Sequence, residues 1–447
     1  ERSGARCRTQ PGEAAVKALI LNGAERLRDM AEATEAALRP ELAARGHDIV
    51  RHDLTALTVP DCNGDFGCWT VTPGICVQAG PHREVARDLI QSDLAVWLTP
   101  VTFGGYSSAL KRHLDHCIPL ISALFAKVEG ETHHEPRYDR FPSLLVVGLQ
   151  DQPAATAAQV FERIVQRNVL NMYAPHFASP ILTRAELPGL AGEVRRWLDD
   201  VATSVRPHVE AEPLDLGVQA GLPLAAPRRV LLLVGSPRGQ ASVSASLVDH
   251  LASLLTTRGL AVATESIHKS LRADPGLHRL GTALAGVDVV GLASPLYVDG
   301  LPGPVTAALE VLGRRQAAVG PRPRFFALVN SGFPEAVHND TALAICRLFA
   351  EQAGLEWIGG LAIGGGGMLA GKPLAELGPQ GRVVVQALLL TAEAIAEGRP
   401  VPDTAQRLVR RLPIPTWLYR FLAGWGFRQE AKKRGTLSRL GDRPYAA

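Results

Sequence analysis

Arg229-Val230-Leu231-Leu232-Leu233-Val234-Gly235-Ser236-Pro237-Arg238-Gly239-Gln240-Ala241-Ser242-Val243-Ser244 opens the second half of the chain. Five aliphatic positions in a row, without polar alternation, describe a strand buried on both faces, as in a parallel sheet. A glycine turn follows, then a serine-rich helix start that runs to Thr257. The helix stops at Arg258-Gly259, where glycine suits a left-handed cap, and a second strand occupies Leu260–Ser266.

The first half has the same order. Strand Val16–Asn22 leads to helix Glu25–Ala44, the stop Arg45-Gly46 and strand His47–His52. Residues 22 and 235 lie 213 apart, as do Gly46 and Gly259, so the register is expected to hold across this unit. Third strands at Asp93–Leu98 and Asp288–Ala293 are 195 apart, which leaves copy one with 18 extra residues upstream. Fourth strands fall at Ser143–Leu149 and Arg324–Asn330, fifth strands at Ala178–Leu182 and Trp357–Ile363. Alternating strands and helices imply an α/β chain of two tandem, doubly wound, five-stranded parallel sheets. The expected division is 15–205 and 228–400, joined by a Pro-, Gly- and acid-rich linker at 206–227 and followed by an extension at 401–447.

Composition agrees. The 447 residues are 46% apolar and 20% charged, with mean hydropathy +0.06, and no apolar run reaches the ~18–20 residues of a membrane helix. Collagen-like, disordered and transmembrane classes are excluded. Net charge is +3, too weak for a nucleic-acid binder. It is uneven: residues 405–447 carry ten Lys/Arg against Glu430 and Asp442, so the tail is +8 and the rest −5. Six cysteines in this length make no disulfide scaffold. No secretory signal is legible at Glu1-Arg2-Ser3-Gly4, and a reducing cytoplasm is the expected compartment.

In such sheets ligands bind beyond the carboxyl ends of the strands. Gly235–Ser244 there places Ser236, Ser242 and Ser244 hydroxyls and the Arg238 guanidinium at a helix N-terminus, a phosphate cradle. A merely Ser-capped turn would read the same, and the Gly-Lys-Ser/Thr of a nucleotide P-loop is absent. The Gly-Ser-Pro-Arg turn with trailing serines resembles the phosphate loop of the NADPH-dependent FMN reductase family, which are flavodoxin-like flavoproteins. Ser294-Pro295-Leu296-Tyr297-Val298-Asp299-Gly300-Leu301-Pro302 is similar to that family's loop after strand three, and Asn330-Ser331-Gly332-Phe333-Pro334-Glu335 falls where its second ring-contacting loop stands. Copy one has its own version, Thr99–Ser108. The resemblance spans roughly 15–205 and 228–400. It implies FMN bound by Ser236, Arg238, Ser242, Ser244, Pro295, Leu296, Tyr297, Ser331, Gly332 and Phe333, with Tyr297 stacking. It also implies hydride transfer from NADPH or NADH to the flavin and on to a small acceptor such as a quinone, with no catalytic protein residue. The two copies would mimic the family's usual dimer within one chain. A flavodoxin-type electron carrier and a flavin-free interaction protein are the rival readings.

Copy one departs at strand one: Asn22-Gly23-Ala24-Glu25 offers no hydroxyl before Thr34 and puts Glu25 where a phosphate would sit. FMN is therefore expected in copy two. Cys62-x5-Cys68-x7-Cys76 resembles the cysteine motif of iron–sulfur-flavoprotein relatives, with Asp65 in place of one thiol. Three thiols are one short of a usual complement, so the expectation is reduced thiols in a substrate-side loop and no metal. His133 and His134, adjacent on an extended chain, make a poor chelate and read as a solvated loop, with a lesser reading in which one reaches a substrate. Gly364–Gly367 reads as a close backbone approach to a ligand or a flexible loop. In the tail, Ile414, Trp417, Leu418, Phe421, Leu422 and Trp425 form a helical stripe among basic residues. The favoured reading docks this helix on the protein with its aromatics buried; the other lays it on a membrane surface.

Overall fold

The computed structural model describes residues 16–205 and 226–446 except 276, 315–321, 370–373 and 413, and also 214, 217 and 218. The linker expected at 206–227 therefore lies almost wholly outside the described residues. Copy one runs β1 (Val16–Asn22), α1 (Arg28–Ala44), β2 (His47–Asp53), α2 (Gly67–Thr70), α3 (His82–Gln91), β3 (Leu94–Pro100), α4 (Ser108–Leu114), β4 (Ile121–Val128), β5 (Glu131–Pro136), β6 (Ser143–Gln150), α5 (Ala155–Asn171), β7 (Phe177–Ala178), β8 (Ile181–Thr183) and α6 (Leu190–Thr203). Copy two runs β9 (Arg229–Val234), α7 (Val243–Thr257), β10 (Ala261–Ser266), α8 (Ile267–Ala273), α9 (His278–Ala285), β11 (Val289–Pro295), α10 (Gly303–Gly313), β12 (Arg324–Asn330), α11 (Asp340–Gln352), β13 (Glu356–Ile363) and α12 (Pro379–Ala396). Helices α13 (Asp403–Val409) and α14 (Thr416–Lys433) close the chain.

Both large sheets are parallel, in the orders β2-β1-β3-β6-β7 and β10-β9-β11-β12-β13, with β8 also on β6. This is the flavodoxin-like order, with the switch point between the first and third strands. The fifth strand of copy one is split at Ser179-Pro180, where proline has no N–H to give the ladder.

The 195-residue offset holds to the atom level. Thr102 and Gly105 bridge across a tight turn, as do Tyr297 and Gly300. The central residues Phe103 (φ 52°) and Gly104 (φ 80°) match Val298 (φ 43°) and Asp299 (φ 57°), all left-handed. Strand one differs by one residue from the expected register. Ala18 pairs with Leu94 and Val230 with Val289, so these strands are 212 apart while the caps at Gly46 and Gly259 remain 213 apart. Copy two therefore has one more residue between strand one and the helix cap, and Gly23, not Asn22, is the counterpart of Gly235; both donate N–H to equivalent carbonyls within the third strands, Leu98 and Ala293.

Equivalent helices of the two copies pack on each other, α4 on α10 and α5 on α11. Gly303 lies so close to α4 that a Cβ there would stand 2.9 Å from the Arg112 Cα. The Gly303 N–H donates to Asp115 at 2.7 Å, and Asp115 also holds Lys111. Ser108 donates to Glu310 through its N–H (3.0 Å) and hydroxyl (2.6 Å). One apolar cluster, including Trp97, Phe161, Leu309 and Phe349, is continuous through both copies.

Two expectations are corrected. The segment around His133 and His134 is no solvated loop: β4 and β5 form an antiparallel hairpin through Glu129 (φ 47°) and Gly130 (φ 87°), a two-residue turn whose positive φ pair suits hairpin twist. The tail helix does dock, but on another face. Tyr419, Gly424 and Ala431 are buried, while Trp417, Phe421 and Trp425 are 63%, 66% and 55% exposed. Tyr419, Gly424 and Ala431 line the docked face, and the bulkier aromatics turn outward. Tyr419→Ala should accordingly cost roughly 3 kcal/mol of stability, from a lost ring and a lost hydrogen bond. Trp417→Ser with Phe421→Ser should cost less than about 0.5 kcal/mol. Thermal melts of the two variants check this; equal losses would contradict the docking face.

Candidate functional site

At the carboxyl edge of the second sheet, one side chain ties three loops together. The Asn330 side-chain amide donates to Ser244 Oγ and to the Ser294 carbonyl, both at 3.0 Å, while the main-chain carbonyl of Asn330 accepts from Leu296 N–H at 2.8 Å. The loop after β9, the loop after β11 and the loop after β12 are thereby locked in mutual register. Of the sequence-named hydroxyls, Ser242 is committed to the fold: it caps α7 by accepting from Ala245 N–H (3.1 Å) and donates to Gly239 O (2.6 Å). Ser244 is buried on Asn330. Ser236 accepts only from Arg238 N–H, at 3.3 Å, which leaves its hydroxyl proton for a ligand, and Arg238 is exposed beside it. With the fifteen-residue α7 presenting its positive end, this turn fits a phosphate.

The loop after β12 is backed by the glycine run. A Cβ on Gly364 would stand 2.3 Å from Pro334 O, and one on Gly366 2.8 Å from Ser331 O. Gly365 and Gly366 N–H donate to Phe333 O and Ser331 O, both at 2.7 Å, and Tyr419 Oη donates to Gly332 O at 2.6 Å. Gly364 and Gly366 thus let strand five's end press against the backbone of Ser331–Pro334.

Copy one supplies the walls. A Cβ on Gly64 of its cysteine insert would fall 1.9 Å from Tyr297 Oη, so the insert lies on the loop after β11. Burial pushes the Tyr297 phenol well above its ordinary range, with nearby Cys62 and Asp115 adding to it. The hairpin reaches the other ring loop: His134 and Phe125 stand 5.3 and 6.4 Å from Phe333 by ring centroids. Trp69 lies 4.4 Å from His134, and Phe427 of α14 6.2 Å from Phe125. Burial draws the His134 imidazole down to about 3, so it stays neutral. His133 donates to Asn171 Oδ1 at 2.8 Å and lies 6.0 Å from the Phe333 ring and 5.4 Å from His338.

Beneath these loops a buried polar network crosses between the copies. Arg167, 2% exposed, pairs with Glu131 at 2.5 Å, donates to His338 Nδ1 and lies 3.6 Å from Asp299. Thr132 Oγ1 donates to Glu335 at 2.9 Å, and His338 stacks on Phe333 at 4.5 Å. Burial would raise the Glu131 carboxyl, but His133, Arg167 and His338 together hold it down at about 2. None of Asn330, Arg167, Asp299 and His338 was among the candidate ligands read from the sequence. Only the left-handed Val298-Asp299 pair, a non-glycine turn, could have signalled a special site.

The equivalent edge of copy one is filled by protein. Phe103, counterpart of Val298, packs edge-on against Phe349 at 5.4 Å. Cβ atoms on Gly104 and Gly105 would meet Val160 and Ile345 at 2.7 and 2.9 Å. Gly23 lies against Leu110, its carbonyl accepting from Ser107 Oγ at 2.7 Å. Arg28, at the start of α1, is taken by Asp53 (2.7 Å) and Glu32 (2.9 Å).

The three insert thiols do not converge. Cys68 packs on Trp69 and Ala123, Asp65 accepts from Gly67 N–H at 2.8 Å, and Cys76 lies near His82 and His116 instead. Burial, then Asp115, pushes the Cys62 thiol up to about 12, and burial raises Cys68 and Cys76 also. Protonated thiols are weak nucleophiles.

Residues 16–159 match the family model of NADPH-dependent FMN reductase. The match lies within copy one, and the fold of both copies is flavodoxin-like. Among solved structures, a NAD(P)H:quinone oxidoreductase from Methanothermobacter marburgensis is 13% identical, covering 41% of this chain and 97% of its own, with TM-score 0.33. An azoreductase from Bacillus anthracis is 14% identical over 42% of this chain and 97% of its own, with TM-score 0.31. No curated protein matches. Among the described residues no helix is long and apolar enough to cross a membrane.

Proposed function

We propose that the chain is an NAD(P)H-dependent flavin oxidoreductase that holds FMN at the carboxyl edge of the second sheet and reduces a small, flat, electrophilic acceptor such as a quinone. In this reading 15–205 and 228–400 are the two units, and only the second carries cofactor. One observation bears most weight: Asn330 joins the serine turn to both ring loops in copy two, where the equivalent strand-end position of copy one is Leu149, which has no amide to make that tie.

Bound FMN would supply the hydride chemistry, taking reducing equivalents from the nicotinamide and passing them on. The chain's own work is binding, orientation and exclusion of water. Ser236 and Arg238 hold the phosphate at the start of α7. Pro295, Leu296 and Tyr297 lie along one side of the ring, and Ser331, Gly332 and Phe333 along another. The Tyr297 hydroxyl, kept protonated by burial, is available to donate. Phe125, His134, Trp69 and Phe427 pack into an aromatic wall beside Phe333 that suits an uncharged aromatic acceptor, and the neutral His134 adds no charge to repel it. No protein nucleophile or acid–base pair is needed.

The test is direct. Purified chain should be yellow, should release FMN in a one-to-one ratio on denaturation, and should bleach anaerobically on adding NADPH or NADH. A quinone should then restore the colour. A colourless chain that FMN does not reconstitute would overturn the reading, and a bound flavin that neither nucleotide bleaches would favour an electron carrier.

A further inference from the structure

Outside the flavin edge, one cluster is built like a metal site. The ligand atoms of Cys76, His82 and His116 lie within 4.8 Å of one another. The residues are 8%, 1% and 1% exposed. His116 donates Nε2–H to Pro60 O at 2.8 Å, and His82 donates Nε2–H to Gln78 O at 3.0 Å. Each backbone carbonyl sets the tautomer of its imidazole, so both lone pairs sit on Nδ1, on the side of the ring away from that carbonyl. The rings stack at 4.0 Å, and the Cys76 Sγ lies 3.3 Å from His116 Nδ1. A thiol has one proton and can satisfy one of these acceptors. His82 Nδ1 is left buried with no hydrogen-bond partner, an arrangement that is costly unless something electron-poor occupies the space between.

We propose that Cys76, His82 and His116 bind a single zinc-class divalent cation, which fastens the cysteine insert to the end of α4. A thiolate and two neutral imidazoles are the ligand types a borderline-soft cation prefers, and three protein ligands leave one position for water. Backbone carbonyls on the far nitrogens are the usual outer partners of ligating histidines. On binding, the thiol releases its proton to solvent and the metal–sulfur bond replaces the S–H bond. This ligand set differs from the three thiols that the cysteine spacing suggests; Cys62 and Cys68 take no part. The site is also well placed. Pro60, held by His116, leads directly into residues 61–65, which cover Tyr297.

The full-length chain, stripped with a chelator, should be titrated with Zn2+ against a chromophoric chelator and separately with Co2+. Expected are one tight zinc per chain and, with cobalt, a thiolate-to-metal charge-transfer band with the strong visible absorption of a four-coordinate ion. His82→Asn and Cys76→Ser should each weaken zinc binding by ~100-fold or more, above the range for loss of an outer partner, and Cys76→Ser should abolish the charge-transfer band. Cys68→Ser should leave both unchanged. Thermal transitions measured without metal establish that His82→Asn is folded. Wild-type chain that binds zinc no better than a Cys76→Ser, His82→Asn double variant would overturn the proposal. So would metal lost in Cys68→Ser but kept in folded His82→Asn. Neither readout involves flavin, so the result is independent of the oxidoreductase reading.

Discussion

Ser236→Asp and Arg238→Glu should each release FMN from the purified chain, while Glu25→Gln should leave it bound. Each of the first two changes brings a carboxylate against the phosphate at the start of α7. Like-charge contact of this kind costs several kcal/mol, which is more than ~100-fold in Kd. Arg238 is exposed and in no ion pair among the described residues, so its change leaves the packing intact; Ser236 is buried, so a thermal melt must show that Ser236→Asp is folded. Glu25 is exposed and lies outside the proposed cradle. Flavin absorbance after gel filtration, with apparent Kd by fluorescence quenching, reads the outcome. Flavin retained by both copy-two variants and altered by Glu25→Gln would move the site to copy one.

Arg167→Met should be the most destabilising single change in the molecule, by about 3–5 kcal/mol, because it leaves buried carboxylates uncompensated. Glu131 and Asp299 both depend on this guanidinium, and His338 takes a hydrogen bond from it. Glu131 also fixes the sign of the pH dependence. Its carboxyl is held at about 2 in the folded chain, below its unfolded value, so its stabilisation is present above the unfolded value and lost as pH falls through the folded one. The difference between wild type and variant should therefore narrow from about pH 5 toward pH 2. Urea unfolding across that range measures it. A loss under about 1 kcal/mol, or a gap that widens with acid, would contradict the role given to Arg167. Since Arg167 reaches Phe333 through His338, the variant should also hold flavin less tightly.

The fold was legible because its signals are local. Uninterrupted aliphatic runs at Val16–Asn22 and Arg229–Val234, each closed by a helix and an Arg-Gly stop, specify a buried parallel strand and its crossover without reference to the rest of the chain. The offset of 195 between third strands was accurate down to the turn at Phe103-Gly104 and Val298-Asp299. The offset of 213 failed by one residue in strand one, since matching glycines cannot reveal where within a loop an insertion sits. The β4–β5 hairpin is not legible despite its Glu129-Gly130 turn, because Glu131-Thr132-His133-His134-Glu135 has no apolar alternation to mark a strand.

By itself the sequence determined the two doubly wound sheets, their order, and the serine turn of copy two with its positive helix start, all of which depend on neighbours within a few residues. Tertiary structure alone decided what covers each sheet edge. Phe103 and Phe349 are 246 residues apart, and their contact packs the turn after β3 of copy one against copy two. Gly64 and Tyr297, from different copies, build the wall of copy two. The same holds for Cys76, His82 and His116, and for the outward face of α14. Which side of an amphipathic helix is buried, and which of several thiols meets an imidazole, depends on shapes brought together from distant parts of the chain, and no local pattern encodes that.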